Sequence, residues 1–165
     1  MKKHIDHIAF RVKDVNRAVK HYTDIHNFKI MQEMDLKILG SKVKSFVLRQ
    51  GDVKPYIFIS EGFGSNNIVK EWVKEHGNAM HHIAYIVDDI RKEVSRLKHE
   101  GIKFTTPDII GSYKFSQIFS VPNKETGLIH EIIERNSRDA FFAEQNVEQL
   151  INSTKKYSHL KLSHD

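Results

Sequence analysis

Two histidines and one carboxylate are the residues of this chain whose types and spacing best suit metal chemistry. His7 and His82 stand in similar strings, and Glu131 stands among isoleucines near the end of the chain. The chain has no cysteine, so a metal would be held by histidine, carboxylate or water. A set of two histidines and one carboxylate leaves open positions on the ion, and it suits Fe(II) as well as Mn(II), Co(II), Ni(II) or Zn(II). We therefore expect one divalent metal ion, with Fe(II) favoured, at His7, His82 and Glu131.

The two histidines belong to an internal repeat. His7 aligns with His82 at an offset of 75 residues, and the matches extend from Ile8 on Ile83 to Asp14 on Asp89. A repeat of this kind predicts two similar supersecondary units. A single histidine in a strand is more often an ordinary half-buried residue than a ligand. Two histidines at equivalent points of a repeat favour the ligand interpretation.

Alternation along the repeated strings predicts strands and assigns their faces. Ile8, Phe10 and Val12 alternate with a second set that contains His7, Ala9 and Arg11. In the last predicted strand, Glu131 shares a face with Ile129 and Ile133. A buried lone carboxylate is costly unless it is paired or metal-bound, so this position favours a ligand. A surface position for Glu131 remains the alternative.

Each unit is predicted to run strand, helix and three strands, with Asp14 and either Asp88 or Asp89 as helix N-caps. We predict the α+β class, in which two tandem βαβββ modules form a paired, eight-stranded mixed sheet around a metal cleft. The predicted divisions are 1–63 for the first module, 64–78 for a linker helix, 79–135 for the second module, and 136–165 for a C-terminal helix and tail. Within the second module, 102–105 is predicted as a strand and 107–112 as a loop.

Composition limits the function classes. The chain has 165 residues, 39% of them hydrophobic and 28% charged, which is ordinary for a globular protein. No apolar run approaches the roughly 20 residues needed to span a bilayer, and no secretory signal is recognised at the start. The net charge of +5 comes without a basic run, so an acidic small substrate or simple solubility explains it better than nucleic acid. We expect a cytoplasmic protein that binds a small molecule and neither nucleic acid nor membrane.

Aromatic residues surround the expected site. Phe115, Gln117 and Phe119 share one face of a predicted strand, and Phe58 lies across from them. An aromatic stripe is more often core than pocket, but the glutamine within it favours a pocket. The tail is predicted to form a helix over 139–153 whose apolar stripe, including Phe142, covers the cleft. The alternative use of the same stripe is a homodimer interface.

Three strings carry a resemblance to a known family. Residues 6–10, 81–85 and 127–134 resemble the metal-ligand strands of the vicinal oxygen chelate superfamily, which includes glyoxalase I, methylmalonyl-CoA epimerase, extradiol dioxygenases and 4-hydroxyphenylpyruvate dioxygenase. The resemblance covers about residues 4–152 and implies the paired βαβββ fold and a metal-dependent enzyme. It is closest to 4-hydroxyphenylpyruvate dioxygenase, with methylmalonyl-CoA epimerase next.

Within that superfamily, two positions depart from the isomerases. Epimerases and glyoxalases usually have a fourth protein ligand where this chain has Phe58, and epimerases have a glutamate base where it has Ser45. The resemblance to the dioxygenase implies that Gln117 acts on the substrate and that residues 141–147 belong to a covering helix. The implied function is an Fe(II) dioxygenase acting on a small, aromatic oxo-acid bound through vicinal oxygens.

Two other functions stay open. Trp72 and the His81–His82 pair resemble epimerases, so the first is a metal-dependent isomerase or lyase that works through an enediolate. The second is a non-enzymatic binding protein like those of the bleomycin-resistance branch, which typically lack the metal ligands. The dioxygenase has four modules, whereas two are recognised here.

Overall fold

The computed structural model describes residues 3–112, 115–137 and 142–157. The strands are β1 (His4–Arg11), β2 (Lys29–Ile38), β3 (Ser41–Gln50), β4 (Val53–Gly62), β5 (Ala79–Ile86), β6 (Ile110–Ser112), β7 (Phe115–Phe119) and β8 (Ile129–Arg135). The helices are α1 (Val15–His26), α2 (Ile68–His76), α3 (Ile90–His99) and α4 (Glu144–Ser153), and a short 3-10 turn follows at Lys155–Tyr157.

All eight strands form one mixed sheet, which confirms the predicted α+β class. The strand order is β2-β3-β4-β1-β5-β8-β7-β6. Within each half, the first strand pairs in parallel with the last, β1 with β4 and β5 with β8. The two halves join where β1 and β5 run antiparallel, with Ile8 opposite Ile83. The two histidine strands therefore lie side by side at the centre of the sheet.

The repeat extends to the helix starts. Asp14 caps α1 by accepting a hydrogen bond from the Arg17 amide, and Asp89 caps α3 in the same way. A glutamate from the last strand of each half accepts from the first amide of the helix, Glu61 from Val15 at 2.8 Å and Glu134 from Ile90 at 2.7 Å. These contacts satisfy amides that have no partner within the helix. Asn67 caps α2 and Gly77 ends it with φ +75°, both as the sequence indicates.

Burial separates the two faces of the sheet. The outer face packs on α1 through Val15, Val19 and Leu48, and a matching outer cluster lies under α3. The inner face carries Ala9, Ala84 and Phe58, together with residues of α2 and α4. The side chains that alternate with the helix-packed set therefore face a common interior, as the alternation predicts.

The second half differs from the sequence prediction in two places. Residues 102–105 do not form a strand: Phe104 makes an isolated bridge to Ser120, before the chain turns at Pro107. The predicted loop 107–112 instead ends in β6, where Ile110 pairs with Gln117. Gly111 explains the error, because its φ of +123° and its close approach to the Phe115 carbonyl suit glycine alone, and a glycine in this context indicates a loop.

The C-terminal helix begins later than predicted. α4 starts at Glu144, and Ala143 at its N-cap provides no side-chain hydrogen bond. The predicted start at Asp139, and Phe141 in the predicted apolar stripe, lie outside the described residues. Among the described helices, none is both long and apolar enough to cross a membrane.

Candidate metal centre

Strand register brings the three predicted ligands together. His7 on β1 lies opposite Ala84 on β5, and Ala84 lies beside Glu131 on β8. His82 is two residues from Ala84 and lies opposite Ala9. All these side chains point to the same face, because neighbouring strands keep their pleats in register. The two alanines contribute no bulk, so the larger side chains meet over them.

The ligand atoms form a compact triangle. His7 Nε2 lies 3.2 Å from His82 Nε2 and 3.0 Å from Glu131 Oε2, and the third side, between His82 and Glu131, is 3.3 Å. Ligand atoms on one face of an octahedron, each about 2.1 Å from an ion, lie about 3.0 Å apart. His7 and Glu131 are 1% and 2% exposed, so few other partners can reach them. The donor set and its spacing fit a divalent metal ion.

The protonation of the three groups in the metal-free protein suits a ligand set. Burial is the main cause that lowers the pKa of His82, to about 4, so this imidazole is neutral at neutral pH. Burial also acts to lower the pKa of His7, but the charge of Glu131 and the hydrogen bonds from Asp6 and Glu131 raise it overall. Burial acts to raise the pKa of Glu131, yet the charge and hydrogen bonds of the histidines lower it to about 2. The carboxylate is therefore ionised.

Asp6 orients the first histidine. Its Oδ2 lies 3.1 Å from His7 Nδ1, and a proton on Nδ1 leaves the Nε2 lone pair free for a metal. Arg135 donates to Asp6 from Nε at 3.1 Å and from Nη2 at 2.9 Å, and Lys54 also bonds it. Burial opposes ionisation of Asp6, but its hydrogen bonds to His7 and Arg135 and their charges lower its pKa overall. Asp6 is thus a fixed anion behind His7.

His81 has the equivalent place behind His82. The Nδ1 atoms of the two rings are 2.8 Å apart. If the lone pair of His82 Nε2 serves a metal, then Nδ1 of His82 carries the proton and His81 accepts it. Burial first, and then the charge of Arg11, lowers the pKa of His81 well below its ordinary value, which keeps it a neutral acceptor. One half of the protein therefore supports its histidine with a carboxylate and the other with an imidazole.

A cavity of about 30 Å³ adjoins the triangle. Of the predicted pocket residues, Phe58, Phe119 and Phe142 line it, and so does Gln117. The side chain of Gln117 is buried, and its Nε2 has no hydrogen-bond partner among the described residues. Phe115 does not line the cavity: its ring lies behind Phe142 at 5.5 Å, under the Arg135 guanidinium. Gln117 thus offers a free amide to a bound molecule.

Helix α4 covers this cavity. Val147, Leu150 and Ile151 line it from above, and Phe142 meets the His7 ring edge-on at 5.1 Å. Gln32 holds the start of the cover through two hydrogen bonds to the Phe142 backbone, at 2.9 and 3.3 Å. The remaining volume is about that of one water molecule, so a larger ligand requires α4 and Phe142 to move.

Phe58 has the position in the first half that Glu131 has in the second. Ala9 pairs with Phe58 as Ala84 pairs with Glu131, and Phe58 lies 5.9 Å from the His7 ring. The sequence alignment at an offset of 73 residues predicts this equivalence, and the register agrees with it. An apolar side chain therefore stands where a fourth protein ligand would reach the ion.

Four residues of the site were not identified from the sequence as functional: Asp6, His81, Arg11 and Arg135. Asp6 and His81 had a readable signal, because each directly precedes a predicted ligand at the repeat offset of 75. Arg11 was placed on the inner face by alternation, but nothing in its sequence context marked it as part of a site. Arg135 reaches the site only through the pairing of β8 with β7 and β5.

Comparisons with known proteins identify the family and the fold. A family model described as the Glyoxalase/Bleomycin resistance protein/Dioxygenase superfamily matches residues 6–113. The chain is 32% identical over 111 residues to 4-hydroxyphenylpyruvate dioxygenase of Pseudomonas aeruginosa, covering 64% of this chain and 30% of that protein. It is 29% identical over 110 residues to hemolysin VllY of Vibrio vulnificus, covering 63% of this chain and 30% of that protein. The chain thus matches less than a third of the length of these relatives.

Solved structures agree on the fold. A mutant of 4-hydroxymandelate synthase from Streptomyces coelicolor superposes with a TM-score of 0.83 at 17% identity, over 94% of this chain and 54% of that chain. Methylmalonyl-CoA epimerase from Mycobacterium tuberculosis gives a TM-score of 0.69 at 17% identity, over 81% of this chain and 89% of that one. At such identities these likenesses establish the architecture alone.

Proposed function

The chain belongs to the glyoxalase/bleomycin resistance protein/dioxygenase superfamily, and from this premise we propose that it is an Fe(II)-dependent dioxygenase acting on a small oxo-acid. The observation that carries the proposal is the buried triangle of His7, His82 and Glu131, whose sides measure 3.0 to 3.3 Å. A divalent ion bound there would polarise the vicinal oxygens of the substrate, and as Fe(II) it would supply electrons to O2. The protein contributes the three ligands, their orientation and a dry apolar enclosure.

A ligand set of three favours the dioxygenase over the isomerase. Phe58 replaces a fourth protein ligand, so more positions stay open for the substrate and O2. The position of the epimerase base is Ser45, whose hydroxyl is buried and lies 2.9 Å from that of Ser60. A hydroxyl bonded to another hydroxyl is a poor proton acceptor at neutral pH. The proton transfer that an epimerase needs therefore has no evident base at this position.

The cavity wall supports an oxo-acid with an apolar, aromatic-sized body. Phe58, Phe119 and Phe142 form most of the wall beside the ligands, and they also keep water away from the site. Gln117 places an unpaired amide at the same wall, where it can donate to a substrate oxygen. Helix α4 must open for the substrate to enter, and its closure would then exclude water.

The test is anaerobic reconstitution followed by oxygen uptake. Metal-free protein is titrated with Fe(II), Mn(II) or Zn(II), the bound metal is counted, and oxygen uptake is measured with a panel of aromatic and aliphatic 2-oxo acids. We expect one ion per chain, and substrate-dependent oxygen uptake with Fe(II) only. His82→Gln should abolish both, whereas His4→Gln, a matched change at an exposed position of β1, should affect neither.

Isomerase activity would appear differently in the same samples. Exchange of the substrate's α-proton with D2O, supported by several divalent ions and without oxygen uptake, would replace the dioxygenase with the isomerase or lyase alternative. Ligand binding that needs no metal and causes no turnover would indicate a binding protein.

A further inference from the structure

Arg11 is a buried cation in the cavity for which the proposed chemistry has no role. Its side chain lines the same cavity as the ligand triangle, and the residue is 4% exposed. We propose that Arg11 binds a carboxylate at the end of the substrate remote from the metal, so that the substrate is an oxo-acid with a second acidic group. The proposal rests on the proposed function and specifies its substrate class.

The guanidinium lacks a counter-charge. Nη1 has no hydrogen-bond partner among the described residues, and no carboxylate of the described chain forms an ion pair with Arg11. Its recorded contacts are a long hydrogen bond from Nη2 to Thr154 Oγ1 at 3.5 Å and the face of Trp72 at 5.5 Å. A buried charge is costly unless it is paired, so an unpaired guanidinium facing a cavity indicates an anion that enters it.

Burial is the cause that lowers the pKa of Arg11, to about 9. The side chain therefore stays protonated at neutral pH despite the missing partner. It remains able to form charge-assisted hydrogen bonds.

The position of Arg11 separates the two acidic groups of the substrate. Arg11 follows His7 by four residues on the same face of β1, so their Cα atoms lie about 13 Å apart. Ala9 lies between them and leaves the floor of the cavity low. One molecule can therefore chelate the ion at His7 and reach Arg11 with its far end. A phenol at that end would leave the guanidinium unpaired, whereas a carboxylate can accept from both of its terminal nitrogens.

A purely structural role would explain less. Stacking on Trp72 and one contact to Thr154 could fix α2 and the end of α4, but an uncharged side chain would do this without burying a charge. Neither contact uses Nη1. The structural alternative also predicts no dependence on the charge of the ligand, which makes the two roles separable.

Matched probes test the proposal. Protein loaded with Mn(II), which is stable in air, is titrated by calorimetry with two pairs of ligands. The first pair is 2-oxopentanedioate and 2-oxopentanoate, and the second is 4-carboxyphenylpyruvate and 4-methylphenylpyruvate. Each pair shares the chelating end and differs in the remote acid. Arg11→Met removes the charge at similar length, Arg11→Lys retains a charge without the fork, and Arg17→Met is the control at an exposed arginine of α1.

In the wild type we expect the diacid of at least one pair to bind about ten- to a hundredfold more tightly than its partner, the range for hydrogen bonds to charged groups. This preference should disappear in Arg11→Met, be reduced in Arg11→Lys and persist in Arg17→Met, with Mn(II) affinity equal in all four proteins.

Wild-type protein without a preference in either pair overturns the role of Arg11, even if Arg11→Met does not fold. A preference that persists in Arg11→Met overturns it as well. Metal-dependent binding of the monoacids without a preference would leave the proposed function in place and remove only this inference, whereas binding of no probe would contradict both.

Discussion

Changing Glu131 to glutamine separates the carboxylate's role in folding from its role in metal binding. In the metal-free protein, Glu131 Oε2 lies 3.0 Å from His7 Nε2 and 3.3 Å from His82 Nε2. Burial acts against ionisation, but the histidines prevail and lower the pKa of Glu131 from 4.5 to about 2. A pKa difference of this size corresponds to about 3 kcal/mol of folding free energy.

The sign follows from the direction of the shift. Because the folded pKa lies below the unfolded value of 4.5, the stabilisation is complete above that pH and is lost as the pH falls toward 2. Without metal, Glu131→Gln should therefore cost about 3 kcal/mol at pH 7, and the two proteins should converge near pH 2. Mn(II) at about a hundred times its Kd should add about 2.7 kcal/mol to the wild type, or about 5–10 °C in Tm, and nothing to the variant.

Urea unfolding of both proteins between pH 2 and pH 8, with chelator or with Mn(II), measures these differences. Glu125→Gln is the control, since it makes the same change at an exposed loop position. A Glu131→Gln protein as stable as the wild type at pH 7 without metal would refute the ion pairing described above. A variant that Mn(II) still stabilises would refute the role of Glu131 as a ligand.

Three further predictions concern the surroundings of the ligands. Phe58→Gln should raise metal affinity in competition with a chelator, because it adds a donor beside the triangle; a loss of stability alone would mean that this side chain does not reach the ion. Asp6→Asn should weaken metal binding about 10- to 100-fold, since the partner behind His7 loses its charge; unchanged affinity would contradict that orienting role. Gln32→Ala removes two hydrogen bonds to the Phe142 backbone and should speed amide exchange in α4 with little change in global Tm; equal exchange would show that the cover is held elsewhere.

The inner-face assignment of the ligands could be predicted because it depends on local periodicity and on the repeat. Alternation places His7 on one face of its strand, and the offset of 75 places His82 at the equivalent point. The alignment at offset 73 likewise places Phe58 opposite the position of Glu131. None of these steps requires knowledge of which strands are neighbours.

The support around the ligands could not be predicted, because it depends on which strands become neighbours. Arg135 and Asp6 are 129 residues apart and meet only because β8 and β1 flank the same strand, β5. The missing partner of Arg11 is likewise a property of the whole inner face, since any carboxylate packed there would have neutralised it. The β6 strand was missed for a local reason, because Gly111 has a backbone conformation that usually indicates a loop.

The repeat divides into positions that stay alike and positions that differ, and the difference gives the site a direction. Asp14 and Asp89 cap equivalent helices, and Ala9 and Ala84 are equivalent floors of the cavity. The chemical positions are unequal: Phe58 stands opposite Glu131, and Arg11 is equivalent to Ile86, which packs on the inner core cluster. A symmetric pair of modules would accept a bound molecule in two orientations related by the pseudo-twofold axis. With an acid in one half only and a guanidinium in the other half only, the metal-chelating end and the proposed carboxylate-binding end are fixed, and a substrate that uses both can enter in one orientation.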